Sequence, residues 1–227
     1  PFNPEERIIE YLLKNKSDAK LVSMNLVDFA NETASESPAP GGGSISAYMA
    51  ALGVSLATMV ANLSAHKPGW DERWEEFSNW AVKGEALKND LLKLVDEDTA
   101  AFNKIMAAFS LPKGTEEEKK SRTQAIQDAT KYAIEVPFKV MELSFAAMEI
   151  CKAMCADGNP NSVTDAGVGA LCARSAVMGA FLNVRINASG LSDKAYTAAM
   201  IEKGKIIEQK TLEAESAILK IVHEKIN

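Results

Sequence analysis

Residues 37–65 read SPAPGGGSISAYMAALGVSLATMVANLSA and include no aspartate, glutamate, lysine or arginine. The two prolines and three consecutive glycines at the start oppose a regular helix, because proline lacks a backbone donor and glycine adds backbone freedom. Ser44, which follows them, is a favoured residue at the N-cap of a helix. The sequence therefore predicts a loop over residues 37–43 and a helix from Ser44 to about Ala65.

This apolar helix has two alternative interpretations, a membrane span and a helix buried in protein. A bilayer-spanning helix needs about 20 mostly apolar residues. Here alanine, glycine and serine supply much of the run, and Thr58 and Asn62 lie within it. Small residues permit close approach between helices, so we predict a helix that is buried in protein and no membrane association.

The remainder of the chain shows helical periodicity. Apolar residues recur at a spacing of about 3.6, and the alternation typical of strands is nearly absent. Short breaker segments separate the amphipathic stretches, which implies antiparallel neighbours as in helical bundles. We predict an all-α multihelical bundle in which residues 1–227 form one domain. The predicted helices cover residues 4–15, 25–33, 44–65, 70–109 with an interruption at Gly84, 115–156 with a kink at Pro137, 162–188 and 192–226.

Composition and charge exclude several classes of protein. With 47% hydrophobic and 25% charged residues, the chain is not expected to be disordered. The net charge is −6 and no long basic run exists, so nucleic acid is a poor partner. The three cysteines, Cys151, Cys155 and Cys172, are odd in number and widely spaced, which favours a reducing, cytoplasmic compartment over a disulfide framework. The chain opens with Pro1 and no initiator methionine, as expected of a piece of a longer protein.

Asp98 occupies a position at which a helical pattern requires an apolar side chain. The apolar positions of this helix are Leu91, Val95, Phe102, Ile105 and Phe109. Asp98 lies three residues after Val95 and four before Phe102, on the same face. A buried carboxylate is costly unless it is neutral, paired or at a wet cavity, and burial raises its pKa toward the range useful for acid-base chemistry. The structural alternative is a salt bridge or a hydrogen bond to the end of a facing helix.

The glycine-rich loop before Ser44 is a candidate ligand site. A helix N-terminus offers unpaired N–H groups and partial positive charge, and glycines let a ligand approach the backbone. The spacing fits neither a P-loop nor a dinucleotide-binding fingerprint. The structural alternative is a tight turn packed against a neighbouring helix.

A second glycine-bearing segment, residues 158–169, reads GNPNSVTDAGVG. Ser162 and Asp165 have the spacing of a capping box, and Asp165 can be no more than a favourable first-turn acid. The helix that follows nevertheless presents small or polar residues along one face, which indicates a polar seam between helices or a wall that faces a ligand. These residues are Asp165, Gly169, Cys172, Ser175, Gly179, Asn183 and Asn187.

The remaining candidates are weaker. The chain has only two histidines, so a histidine-rich metal site is excluded, and Cys151 with Cys155 has the spacing of helix packing rather than of zinc. Lys113 lies in a breaker loop. Arg174 and Arg185 are about three turns apart on one face, where they can hold a carboxylate or be solvated.

Together these segments resemble the formiminotetrahydrofolate cyclodeaminase domain family, which includes stand-alone bacterial methenyltetrahydrofolate cyclohydrolases. The resemblance covers about residues 27–193 and is specific because the motifs occur together. The matching segments are residues 38–44 (PAPGGGS), 158–162 (GNPNS), 165–171 (DAGVGAL), 179–184 (GAFLNV), the pair 186–187 (IN), the pattern of Asp98 with Ala101 and Phe102, and residues 111–113 (LPK).

The resemblance implies a multihelical, intertwined homodimer with a folate site near the subunit interface. It implies a lyase of one-carbon metabolism and histidine degradation that converts 5-formiminotetrahydrofolate to 5,10-methenyltetrahydrofolate and ammonia. No metal and no cofactor beyond the tetrahydrofolate substrate is expected, and a glutamate formiminotransferase domain or protein is an expected partner. The alternatives are hydrolysis of methenyltetrahydrofolate on the same fold and a non-catalytic helical scaffold.

Site residues are assigned from this resemblance together with the residue chemistry. Asp98 is predicted to move protons, and Asn161, Ser162, Asp165, Asn183 and Asn187 are predicted to meet the pterin or the one-carbon unit, because a pterin presents an amide-like edge and an amino group. Gly41, Gly42, Gly43 and Ser44 are predicted to form the ligand loop. Lys113, Arg174 and Arg185 are candidates to bind the glutamate tail of the folate, which can be a single glutamate or polyglutamate.

Overall fold

A computed structural model describes residues 21–227, and the helix predicted over residues 4–15 lies outside them. The described residues form helices and short 3-10 turns at residues 71–73 and 160–162, with no strand among them. The all-α fold is thereby confirmed. The helices are α1 (Leu26–Thr33), α2 (Gly42–Ala65), α3 (Trp74–Phe109), α4 (Glu116–Asp157), α5 (Val163–Ala188) and α6 (Lys194–Ile226).

Side chains at the helix starts explain several of these boundaries. The Asn25 side chain accepts a hydrogen bond from the backbone of Asp28 and caps α1. Thr115 and Glu118 form the predicted capping box at the start of α4. Asp193 caps α6, so this helix begins slightly later than its predicted start at residue 192.

One predicted break is shorter than expected and another is absent, and the glycines at both serve close packing. Gly42 and Gly43, predicted as loop, lie in the first turn of α2, and the extended Gly41 is its N-cap residue. Helix α3 also continues through Gly84, where a Cβ atom would overlap the Thr58 hydroxyl of α2. Helix α4 includes the buried Pro137 within its span, and a kink there stays a prediction.

Helix α2 is central and runs antiparallel to α5. Gly42 lies beside Asn183 near the C-terminal end of α5, whereas Gly53 meets Gly169 near its start. A Cβ atom at Gly53 would lie 2.7 Å from the carbonyl oxygen of Gly169, so glycine allows the two backbones to touch. The small residues of α2 thus serve close helix packing, as predicted.

Helix α2 and the segment Pro160–Ala188 are each long and apolar enough to span a membrane by length and composition alone. Their most apolar windows are nevertheless 61% and 50% buried inside the protein, which supports the interpretation of α2 as a buried helix. The uncovered sides of the two antiparallel helices form a surface that we call the α2–α5 face. It carries Leu52, Met59 and Leu63 from α2 and Val168, Leu171, Leu182 and Ile186 from α5, all exposed.

Candidate functional site

Asp98 of α3 lies opposite the first turn of α2. Its Oδ2 atom accepts a hydrogen bond from the backbone N–H of Ser44 at 2.9 Å and is 3.1 Å from the Ser44 hydroxyl. Asp98 therefore satisfies one of the N–H groups that a helix start leaves unpaired. The hydrogen bond to a facing helix end, named above as the structural alternative, is present, so any chemical role of Asp98 comes in addition to this cap.

Gly43 allows the carboxyl group to come this close. A Cβ atom at this position would lie 2.7 Å from Oδ2 of Asp98 and closer still to Oδ1. Real Cβ atoms do not approach neighbours this closely, so any larger residue would displace the carboxyl group. The third glycine of the loop thus sets the position of Asp98.

Burial raises the pKa of the Asp98 carboxyl above its usual value, and the hydrogen bonds from Ser44 oppose that rise only in part. Asp98 has no ion pair with any residue of the described range 21–227. Its Oδ1 atom accepts no hydrogen bond from those residues. One oxygen is therefore fixed by the protein, and the other is left to bind a ligand or a proton.

Asp98 lines a cavity of about 200 Å³ between the start of α2 and the middle of α3. Pockets for drug-sized ligands usually measure ~300–1,000 Å³, so this one can enclose only part of a larger molecule. Asp98 is the one ionisable side chain among its lining residues within 21–227. The lining consists of Pro38, Ala39, Gly41, Gly42, Asp98, Thr99, Ala101, Phe102, Ile105, Ala133, Asn183 and Asn187.

The two asparagines of α5 reach this cavity, and their side-chain carbonyl oxygens accept no hydrogen bond from residues 21–227. The Asn183 side-chain amide donates to the Gly179 carbonyl at 3.0 Å, and that of Asn187 donates to the Ala133 carbonyl of α4 at 2.7 Å. Each Oδ1 atom remains an acceptor for a ligand N–H. The C-terminal end of the predicted polar stripe of α5 therefore lies at the same cavity as Asp98.

The apolar positions around Asp98 depart from the predicted buried seam. Leu91 and Val95 are fully buried, but Phe102 is 38% and Phe109 is 50% exposed. Helix α2 begins beside Asp98 and therefore covers α3 only on the N-terminal side of this residue. Beyond that point Phe102 and Ile105 line the cavity as an apolar wall.

The second glycine-bearing segment lies at the other end of α2. The backbone N–H of Asn159 donates to the Ser64 hydroxyl at 2.7 Å, which fixes this turn to the last part of α2. Asp165 and Asn183 are 18 positions apart on α5, a distance of about 27 Å at 1.5 Å per residue. Asn161, Ser162 and Asp165 therefore do not line the Asp98 cavity within one chain.

The capping box predicted at Ser162 and Asp165 is wrong. Ser162 is the N-cap residue of α5, but its side chain makes no capping hydrogen bond. The preceding 3-10 turn gives Ser162 φ −117° and ψ 15°, which is not the extended conformation of a capping serine. The Asn159 side chain instead accepts from the Asn161 N–H and caps the short turn.

Several other residues that were predicted to contact the ligand do not line the cavity. They are Ser44, Lys113, Arg174 and Arg185. Ser44 is the third residue of α2 rather than its N-cap, is fully buried, and contacts Asp98 instead of lining the cavity. Lys113 is exposed in the loop after α3 and does not line the cavity. Arg174 pairs with the buried Glu215 of α6 at 3.1 Å, and Arg185 lies over the Phe181 ring.

Some residues that line the cavity were not predicted from the sequence. Pro38 and Ala39 line the cavity and belong to the quoted motif PAPGGGS, but they were not named as site residues. Thr99, which follows Asp98 directly, also lines the cavity. Ala133 of α4 gave no signal, because a small residue in a long helix has nothing to distinguish it. Within the described part of the chain, no three histidine, cysteine or acidic side chains cluster as metal ligands would.

Comparisons with known proteins identify relatives of this chain. The profile of the formiminotransferase-cyclodeaminase family matches residues 25–205. The methenyltetrahydrofolate cyclohydrolase of Methylorubrum extorquens is 35% identical over 175 residues, which cover 77% of this chain and 84% of that protein. The formimidoyltransferase-cyclodeaminase of Rattus norvegicus is 34% identical over 197 residues, 86% of this chain but only 36% of the rat protein.

Structural similarity agrees with these sequence matches. The crystal structure of a formiminotetrahydrofolate cyclodeaminase from Thermotoga maritima matches with a TM-score of 0.81, covering 92% of this chain and all of that one. At 24% identity this match shows a common fold. From the extent of the profile match and the identity to the Methylorubrum protein, this chain belongs to the formiminotransferase-cyclodeaminase family.

Proposed function

We propose that this chain is a cyclodeaminase, which converts 5-formiminotetrahydrofolate to 5,10-methenyltetrahydrofolate and ammonia. The observation that carries the proposal is Asp98, a half-buried carboxyl group with a raised pKa, at a cavity shared with Asn183 and Asn187. One of its oxygens accepts no hydrogen bond from residues 21–227. The names of the rat and Thermotoga relatives support a formimino folate as substrate. A glutamate formiminotransferase, fused or separate, would supply that substrate.

The reaction needs a single proton to be moved twice. The formimino group, which is basic, enters as its protonated cation, and N10 of the folate attacks its carbon to form the N10–C bond. The ionised Asp98 accepts the N10 proton, which leaves a neutral adduct with an amino group on that carbon. Asp98 then donates the same proton to the amino nitrogen, the C–N bond breaks, and ammonia departs from the methenyl cation.

A carboxyl group with a raised pKa suits both halves of this sequence. General acid-base catalysis is most effective when the pKa of the group lies near the working pH, and burial shifts Asp98 in that direction. Because Oδ2 is held by Ser44, the free Oδ1 atom is the one that exchanges the proton. This arrangement needs no second ionisable group at the cavity.

The other cavity residues supply binding and orientation. The free carbonyl oxygens of Asn183 and Asn187 can accept from the amino group and ring N–H of a pterin. Phe102 and Ile105 offer an apolar surface to a flat ring. Holding N10 against the formimino carbon removes much of the entropy cost of ring closure.

The test is incubation of the chain with 5-formiminotetrahydrofolate while methenyl absorbance and ammonia are followed together. We expect both products to form in equal amounts. Absence of turnover despite folate binding would contradict the cyclodeaminase assignment. Absence of folate binding by calorimetry would favour the non-catalytic scaffold.

Hydrolysis of 5,10-methenyltetrahydrofolate is the second candidate. It is favoured by the Methylorubrum relative, which is named for that reaction and is matched over 84% of its length. In that reaction Asp98 would accept a proton from water as the water attacks the methenyl carbon, and would return it to N5 as the C–N5 bond breaks. The hydroxyl proton of the adduct would pass to solvent as the formyl C=O forms. Loss of methenyl absorbance without ammonia release would identify this activity.

We also propose that two copies associate through the α2–α5 face as a homodimer. The face joins seven exposed apolar side chains on two helices that have few charges, and Leu182 and Ile186 lie next to Asn183 and Asn187 of the cavity. Sedimentation equilibrium should show a dimer that Leu182→Glu converts to monomer. A monomeric parent chain would contradict this proposal.

A further inference from the structure

We infer that Ser44 is a positioning residue whose hydroxyl changes its hydrogen-bond acceptor as Asp98 gains and loses a proton. This inference rests on the proposed function only in its effect on turnover. In this role Ser44 acts on the Asp98 carboxyl group through hydrogen bonds, whereas the sequence predicted that Ser44 contacts the ligand directly.

Ser44 holds one carboxyl oxygen at two points and does not line the cavity. Its backbone N–H lies 2.9 Å from Oδ2 of Asp98, and its side chain is fully buried. The backbone bond is fixed by the first turn of α2, whose geometry a hydroxyl rotation does not change. Ser44 therefore orients Asp98 whichever way its own hydroxyl points.

The Ser44 hydroxyl has one proton and two acceptors within reach. The Val95 carbonyl lies 2.8 Å from the Ser44 oxygen, and Oδ2 of Asp98 lies 3.1 Å from it. When Asp98 is ionised, donation to Oδ2 is favoured because hydrogen bonds to charged acceptors are the stronger ones. When Asp98 is neutral, the hydroxyl can donate to the Val95 carbonyl, which has a second lone pair beside the one used by its helical hydrogen bond.

The free oxygen of Asp98 then carries the exchangeable proton. Oδ1 lies against Gly43 and has no donor among residues 21–227, whereas Oδ2 keeps the Ser44 N–H in both protonation states. The Thr99 hydroxyl, 3.5 Å from that of Ser44, is close enough to follow its rotation. Rotation of one hydroxyl thus lets the site accept either state without moving the backbone.

Among residues 21–227, no charged side chain other than Asp98 lines the cavity. Helix α2 and the loop before it carry no charged residue between residues 37 and 65. On α3, Asp96 accepts from the backbone of Leu21, and Glu97 does not line the cavity. Helices α4 and α5 present the neutral Ala133, Asn183 and Asn187 to it. The hydrogen bonds from Ser44 are accordingly the main opposition to the effect of burial on the Asp98 carboxyl.

Ser44→Ala tests the inference, with Ser46→Ala as the matched control. Ser46 is also a buried serine in the first turns of α2, but its hydroxyl donates to the Gly42 carbonyl of its own helix. Alanine is favoured in helices and adds no volume, so both variants should fold. Ser44→Gly removes the same hydroxyl by a second route.

Two measurements are made on each variant. The first is the titration of the Asp98 carboxyl by ¹³C NMR in the ligand-free protein, with Asp98→Asn used to assign the signal. The second is the pH profile of kcat. Loss of the Ser44 hydroxyl should raise the midpoint of the carboxyl titration by about one pH unit and move the matching limb of the kcat profile in the same direction.

Ser46→Ala should leave both the titration and the profile unchanged. An unaltered Asp98 titration in both Ser44 variants, or an equal shift in Ser46→Ala, would overturn the inference. The titration needs no substrate, so it is separable from the proposed function. A shifted titration in a protein that does not turn over formiminotetrahydrofolate would sustain the role of Ser44 and reject the reaction.

Discussion

The start of α2 and the start of α5 both join glycines, proline and serine to a helix, yet they differ in what lies opposite them. At α2, Gly43 faces the Asp98 carboxyl, and a cavity opens beside it. At α5, the turn at Asn159 is bound by the Ser64 hydroxyl, and Gly158 packs against Val60. The first helix start is arranged around an ionisable group, and the second is arranged around packing.

This contrast shows that glycine in such a motif can have two purposes. Gly43 makes room for a side chain that has a free oxygen, whereas Gly158 makes room for the carbonyl of Met154 and the side chain of Val60. Both glycines have negative φ or helical conformation, so neither is required for a left-handed backbone. The neighbours of each glycine, rather than its backbone angles, indicate its role.

The largest expected difference between the two regions concerns their acids. Asp98→Asn should lower kcat by about a thousandfold, because an amide cannot transfer the N10 proton, while folate binding persists. Asp165→Asn should retain a rate near that of the parent, because Asp165 lies far from the cavity. Steady-state assays with formiminotetrahydrofolate measure both. An equally severe loss in Asp165→Asn would place the α5 start at the reaction site and end the contrast.

Alanine substitution of the two glycines separates chemistry from packing. Gly43→Ala should lower kcat by about a hundredfold, because its methyl group displaces the Asp98 carboxyl from its position. Gly158→Ala should instead lower the free energy of unfolding by about 1–3 kcal/mol, since its Cβ would lie 2.5 Å from the Met154 carbonyl. Urea unfolding and kcat at a temperature where both variants are folded provide the readout. Interchanged effects would contradict the assignment.

A smaller effect is expected when the anchor of the α5 start is removed. Ser64→Ala should lower the free energy of unfolding by about 1 kcal/mol, because the Asn159 N–H loses its acceptor. Turnover should stay at the parental level. Ser55→Ala is the control, since the Ser55 hydroxyl donates only to Ala51 of its own helix. If the control is destabilised as much, the bond to Asn159 is not what fixes the turn.

The smallest effect is a pH dependence of stability. The pKa of Asp98 is raised in the folded state, so the parent protein binds more protons folded than unfolded in the interval above the ordinary carboxyl value of about 3.9. Its stability relative to Asp98→Asn should therefore fall as pH rises through that interval and level off above the folded pKa. Urea titrations of both proteins at several pH values measure this. A relative stability that increases with pH would mean a lowered pKa.

The sequence was sufficient to predict the helical bundle and the partly buried position of Asp98 at a cavity. Periodicity and breaker segments predicted the described helices, and an acid in an apolar pattern marked the cavity. The same pattern failed at Phe102 and Phe109, which are exposed. Periodicity indicates which residues share a face, but it does not indicate where a covering helix begins.

The parts that sequence could not predict depend on long-range contacts. The role of Ser44 depends on a residue 54 positions away in sequence. The distance between Asp165 and Asn183 follows from one uninterrupted helix, so two motifs that look alike belong to different ends of the bundle. The residue types identify donors and acceptors, whereas the fold decides which of them meet.

The most direct test of the account is a crystal structure of the Asp98→Asn variant with 5-formiminotetrahydrofolate bound. The account predicts the pterin in the cavity beside Asn183 and Asn187, with N10 and the formimino carbon within about 3.5 Å of the side chain at position 98. A folate bound at the start of α5, or with its N10 remote from that side chain, would contradict the proton-transfer role of Asp98.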